Sequence, residues 1–125
     1  MKIIHQYQPL HSSLCGQACV AMILGCSLAR AVEMLGKGCT TGPQLSKVLY
    51  DYKVHASPSQ IRLSKARRIY RNQKYSQYVP EKCIAKVRSA GVKKSHWVLF
   101  WDRKEYDPYP VRVPWQYISG YIEIY

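Results

Sequence analysis

Apolar positions at Ala18, Val20, Ala21, Leu24 and Leu28 recur at helical spacing from Gly16 onward, and Gly25 interrupts the run where a helix would close. This predicts a helix that opens at Cys15-Gly16. A second is expected from about Ser27 to Leu35, with Ser27 as N-cap, a stripe of Leu28, Val32 and Leu35, and Gly36 and Gly38 as stops. Thr40 and Thr41 offer capping hydroxyls before Gly42-Pro43, and Leu45, Val48, Leu49 and Tyr52 make a third amphipathic face. The first half of the chain therefore reads as helical.

The remaining segments carry strand patterns. Lys2 to Tyr7 is β-favouring, and Pro9, His11, Ser12 and Ser13 break it into a loop that delivers Cys15. Val54 to Ala56 is expected as a short strand. From Gln60 to Lys74 the chain is basic, with Arg62, Lys65, Arg67, Arg68, Arg71 and Lys74 relieved only by Ile61, Leu63, Ile69 and Tyr70. That segment reads as a charged helix or an ordered loop. After Pro80 the period becomes two: Cys83, Ala85 and Val87 alternate with Ile84, Lys86 and Arg88, Gly91 turns the chain, and His96 to Trp101 is rich in β-branched and aromatic types. Asp102-Arg103-Lys104 supplies turn residues and Glu105 to Asp107 begins a return strand, which Pro108 and Pro110 then limit. Val111 to Val113 and Tyr121 to Tyr125 are expected as further strands, with Gly120 separating the last from Trp115 to Ile118. A helical half packed on an antiparallel half is an α+β domain. It spans residues 1–125, with a basic insert at about 59–78.

Composition narrows the setting. A chain of 125 residues buries roughly two thirds of its unfolded surface, enough for a core without staples. Five cysteines is an odd number, they lack Cys-x-x-Cys pairing, and no charged n-region with an apolar h-region opens the chain. A reduced, cytoplasmic setting is the expectation. The longest apolar run, about Val20 to Leu24, is far short of the roughly 20 residues a membrane span needs. Nineteen Lys and Arg against seven Asp and Glu give a net charge of +12, which favours an acidic partner or a polyanion. Eleven tyrosines among those cations suit either base stacking or strands with one wet end.

Three residues suggest chemistry. A cysteine at a helix start sits over unpaired N–H groups whose partial positive charge favours a reactive sulfur over an inert one. Cys15 has that position. A nucleophilic thiol needs a base to take its proton and a group to orient that base. His96, at the head of a predicted strand, offers the base, and Asp107 on the return strand offers the orienting carboxylate. A tight hairpin with Trp101-Asp102 at its tip would make His96 and Asp107 direct cross-strand neighbours. A turn at Arg103-Lys104 would put Asp107 opposite Phe100 instead. His5, His11 and the cysteines lack the compact spacing of a zinc site, so neither a metal nor another cofactor is expected.

Cys15-Gly16-Gln17-Ala18-Cys19-Val20-Ala21-Met22-Ile23 resembles the catalytic-helix motif of papain-like cysteine peptidases, most closely the bacterial double-glycine leader peptidases and their free-standing relatives. His96-Trp97-Val98-Leu99-Phe100 resembles that branch's histidine strand, and Tyr106-Asp107-Pro108 its Asp-Pro strand. Thr41 to Tyr52 is similar to its third-helix segment, and Trp115 to Ile124 to its closing stretch. The likeness covers residues 6 to 56 and 79 to 125 and skips the basic insert. It implies Cys15 as nucleophile, His96 as general base and acid, and Asp107 as orienting group. One oxyanion donor would be the Cys15 N–H and the other an upstream glutamine. That glutamine usually lies six residues before the cysteine, where this chain has Pro9. Gln8 fills the role if the loop bulges by one residue; Gln6 is the other candidate, and Gln17 points along the helix.

The resemblance implies a thiol hydrolase that cleaves a peptide or isopeptide bond, with specificity for small residues such as glycine. Its partner would be a protein or peptide substrate, and acyl transfer to an amine is open to the same three groups. The contrasting expectation is a papain-like scaffold without catalysis that docks an acidic protein or nucleic acid through Arg62 to Lys74.

Overall fold

Helices α1 (Cys15–Leu24), α2 (Leu28–Leu35) and α3 (Gly42–Asp51) precede an antiparallel sheet in the computed structural model, which describes residues 2–71, 77–89, 94–111, 113 and 115–125. Each helix stops and starts on the residues expected of it. Gly25 closes α1 in the left-handed region at φ 67°. The Ser27 hydroxyl accepts from the Arg30 N–H, and Thr41 and Gln44 form a reciprocal capping box at α3. Gly16 through Ile23 are all buried, so α1 is a core helix rather than a surface one. Among the described residues no single helix is long and apolar enough to cross a membrane.

The strands are β1 (Ile61–Arg62), β2 (Ile69–Tyr70), β3 (Lys82–Arg88), β4 (His96–Trp101), β5 (Lys104–Tyr106) and β6 (Tyr117–Glu123). They form one sheet in the order β1-β6-β3-β4-β5, and β2 also pairs with the outer side of β6. The α+β class expected from the sequence is the class observed.

Apolar residues divide between the two faces of the sheet. Ile84, Trp97, Leu99, Trp101 and Ile122 meet Cys19, Val20, Ile23, Leu45 and Leu49 of the helices. Cys83, Ala85, Val98, Phe100 and Ile118 face the other way, where Leu63, Ile69, Val79 and Trp115 cover them. This second layer corrects the reading of the basic segment. It is not a charged helix, and the ordered-loop alternative holds only in part, because two short strands bracket the loop: Lys65–Arg67 form one 3-10 turn between them, Leu63 and Ile69 reach the core, and the exposed cations face solvent. Lys74 lies outside the described residues, as does Gly91.

Other expectations shift. Lys2 to Tyr7 forms no strand, although Ile3 is buried in the core. Of Val54 to Ala56 only Ala56 bridges, to Ile124. Val111 and Val113 lie in no strand, and Arg112 lies outside the described residues. Gly120 does not separate two strands but sits within β6, opposite both Lys86 and Arg62. A Cβ there would stand 2.8 Å from the Ile61 carbonyl oxygen and meet the Gln60 side chain. Gly120→Ala should accordingly cost about 1–3 kcal/mol, because backbone on the adjacent strand must move. Urea unfolding monitored by tryptophan fluorescence measures it, and an unchanged midpoint would count against this packing.

Candidate active site

Cys15 is the first residue of α1, and nothing caps the helix above it: the preceding residue is Leu14, whose side chain makes no capping hydrogen bond. The first helical bond runs from the Ala18 N–H to the Leu14 carbonyl, so no intrahelical acceptor takes the N–H groups of Cys15, Gly16 and Gln17. No acidic residue lies in the first turn to offset the dipole. Opposite, the backbone N–H of Trp97 donates to the Cys15 sulfur at 3.5 Å. The Trp97 indole N–H donates to the Thr40 carbonyl at 3.2 Å, tying β4 to the segment before α3. Gly16 lies against Thr40, whose hydroxyl any Cβ at position 16 would strike.

His96 Nε2 bonds Asp107 Oδ1 at 2.7 Å, and Cys15 is near enough to act on the charge of the imidazole. The neutral ring therefore carries its proton on Nε2 and leaves Nδ1 as its acceptor. The contact arises in a register other than the expected one. The hairpin tip is Asp102-Arg103, both residues at positive φ (52° and 66°), and Leu99 pairs with Tyr106. Continuing that register puts Asp107 level with Val98, not His96. The carboxylate reaches the imidazole diagonally because the strand ends at Tyr106 and Asp107 turns: its Oδ1 also accepts from the Tyr109 N–H at 2.9 Å.

Burial works against charge on His96, but its hydrogen bonds to Asp107 and Cys15 and the attraction of both groups outweigh it, raising the pKa from 6.5 to about 9. Burial, first of all, pushes the Cys19 thiol well above its usual value, and it pushes Cys83 up to about 12. These two sulfurs are held protonated and packed.

The glutamines separate cleanly. Gln6 donates to the Cys26 carbonyl, beyond the far end of α1, roughly 15 Å of helix away from Cys15. Gln17 is fully buried and donates to the Gly36 and Gly38 carbonyls, bracing the α2–α3 connection. Gln8 is buried on the loop that leads to Cys15; its amide nitrogen donates to the Ser12 carbonyl at 2.9 Å and the Ser12 hydroxyl at 3.2 Å. Between them the chain turns through Pro9 to Ser12 with His11 at φ 60°.

Two neighbours escaped the sequence reading. His5 Nε2 bonds the Asp107 carbonyl at 2.6 Å while its ring stacks on Tyr7 and abuts Tyr106. Tyr109 sets its ring edge-on to His96, with centroids 6.2 Å apart. The Asp-Pro-Tyr run was the available signal for Tyr109; nothing local marks His5. Among the described residues no three His, Cys, Asp or Glu side chains are grouped to hold a metal ion. The described residues thus define an α+β protein in which a helix-start cysteine, a strand histidine and an aspartate converge. Neither a protein-family model nor a curated protein matches the chain.

The raised His96 value carries a sign. Protonated His96 stabilises the fold fully below pH 6.5, and that contribution is lost as pH rises through about 9. The whole decline is on the order of 3 kcal/mol between those limits, and Asp107→Asn should remove the Asp107 share of it while the Cys15 share remains. Denaturant unfolding of both proteins across the range tests it, and parallel profiles would refute the assignment.

Proposed function

We propose that this chain is a papain-like thiol hydrolase that cleaves an amide bond, with Cys15 as nucleophile. The observation that carries the reading is the convergence of Cys15, His96 and Asp107 at the end of one buried helix. The papain-like fold belongs to the same proposal, supported by a nucleophile helix packed on an antiparallel sheet that carries the histidine at the head of β4 and the aspartate just past the end of the adjacent β5.

The proton of Cys15 Sγ resides on His96 Nδ1, as a thiolate–imidazolium pair that the raised His96 value favours, and the thiolate attacks the substrate carbonyl carbon. The developing oxyanion lies where the Cys15 N–H can donate. The second donor is Gln8: its weaker bond, to the Ser12 hydroxyl, is the one an oxyanion replaces while the bond to the Ser12 carbonyl holds the amide in place. Protonated His96 then gives its proton to the leaving amine as the C–N bond breaks. Water, deprotonated by His96, releases the acid and restores the thiol. An amine in place of that water gives acyl transfer, distinguishable by product mass. Asp107 keeps Nε2 protonated and the ring oriented throughout.

A second reading also has an observation behind it. The Gln8 amide nitrogen makes two hydrogen bonds to Ser12, and the cations Arg62, Lys65 and Arg67 are exposed, as in a docking scaffold for an acidic protein or nucleic acid.

Two measurements separate the readings. A thiol-reactive probe near neutral pH should label Cys15 faster than Cys26 or Cys39, and His96→Ala should erase that advantage; equal rates would sink the hydrolase reading. Once an amide substrate is found by comparing proteomes of cells expressing wild type and Cys15→Ala, Gln8→Ala should lower kcat by about 10²–10³ with little change in KM. Unchanged kcat would remove Gln8 from the oxyanion hole.

A further inference from the structure

One rung of the sheet runs straight out from Cys15. Trp97 on β4, whose backbone N–H meets the sulfur, pairs with Lys86 on β3; Lys86 pairs with Gly120 on β6; and Gly120 pairs with Arg62 on β1. The Lys86 ammonium lies 5.3 Å from the centroid of the Trp97 ring, which places it on the helix-facing side of the sheet. Gly120 contributes no side chain, and the Gln60 amide fills the space above it. The rung therefore presents an ammonium, an amide and a guanidinium in sequence beside the thiol.

No carboxylate balances these cations. All seven Asp and Glu lie in described segments, and the ion pairs there use Glu33, Asp51, Asp102 and Asp107 for Arg30, Lys47, Lys82 and His96. Lys86 and Arg62 are in no ion pair among the described residues. Burial, then repulsion from Arg88 and Arg62, lowers the Lys86 pKa, and Cys15 alone opposes them. Like charges gathered on a half-buried wall raise the energy of the empty site, and an incoming anion relieves it.

We propose that Lys86 and Arg62 form a carboxylate-binding subsite, so that the favoured substrate carries an acidic side chain or a free chain-terminal carboxylate next to the bond under attack. This rests on the thiol-hydrolase reading above and gives it a substrate class. The ammonium of Lys86, nearest the sulfur, makes the principal contact, and Arg62 is the outer one.

Iodoacetate and iodoacetamide test it, since they alkylate with the same leaving group and differ mainly in charge. Rates at Cys15 are followed by mass spectrometry of its peptide. In wild type the iodoacetate-to-iodoacetamide rate ratio should be higher at Cys15 than at exposed Cys39. Lys86→Gln should lower the Cys15 ratio about fivefold or more, Arg62→Gln by less, and Lys47→Gln on the exposed face of α3 not at all. The iodoacetamide rate controls for folding and for any change in the thiol's own reactivity, including one that acts through His96. Slow iodoacetamide labelling of Cys15 overturns the hydrolase reading and this one with it. Fast labelling with a ratio unmoved by Lys86→Gln overturns the subsite alone. N-iodoacetylglycine and N-iodoacetyl-aspartate α-amide then separate the two carboxylate sources: Lys86-dependent acceleration of either supports the subsite, the larger one names the source, and acceleration of neither overturns it.

Discussion

Helix α1 has almost no solvent face, because Gly16 through Ile23 are all buried between the sheet and the other two helices. That burial fixes the helix by side-chain packing at close-packed density, where a shift of even a methylene is resisted. Everything at the site inherits this rigidity. Cys15 is the residue at which α1 emerges, so the sulfur is aimed by its core and not by its loop. The contacts that adjust its surroundings are few: Trp97 on one side, Thr40 against Gly16 on the other. A glycine after the cysteine is what lets Thr40 approach, which links a feature of the motif to a tertiary contact rather than to backbone freedom.

The imidazole is placed by a different kind of constraint. His96 heads β4, and Asp107 follows the last residue of β5, so both sit at the sheet's end, where the ladder no longer dictates side-chain direction. Asp107 is instead fixed by polar bonds, its carboxylate to His96 and to the Tyr109 N–H, its carbonyl to His5. A packed helix places Cys15 and a hydrogen-bonded turn places the carboxylate that meets His96. Preorganisation from both sides leaves the imidazole little rotational freedom, as the general-base role proposed for it requires.

What could be read from the chain divides along the same line. The helices, their caps and the position of Cys15 were legible because local signals such as Ser27, Thr41-Gln44 and Gly25 act within one turn. The His96–Asp107 pairing was legible only as a pair. Its register depends on Asp102 and Arg103 adopting positive φ, which neither residue type announces, and the contact survives the changed register because Asp107 leaves the strand. The role of residues 61 to 70 was hidden for another reason: two-residue strands have no periodicity of their own, and they exist because β6 offers an unpaired edge and the sheet's second face needs Leu63 and Ile69. Gly120 was misread on the same ground, since its need for no side chain comes from Gln60 and Ile61 across the strand.

Charge ties these pieces together. In a chain of net charge +12, four of the seven Asp and Glu stand in ion pairs among the described residues, and one of these, Asp107, meets His96. One carboxylate stands behind His96, while Lys86 and Arg62 lie along the rung that adjoins Trp97. Under the proposed function such cations would act on the sulfur, on the oxyanion and on any anionic group of the substrate, and all three would gain because the charges are fixed to strands beforehand. The basic composition, which in the sequence pointed only towards an acidic partner, thereby acquires a place in the fold. Lys86 and Arg62 carry it on the rung beside Trp97, while the cations of the 62 to 71 segment extend the same sign outward along the β1 edge.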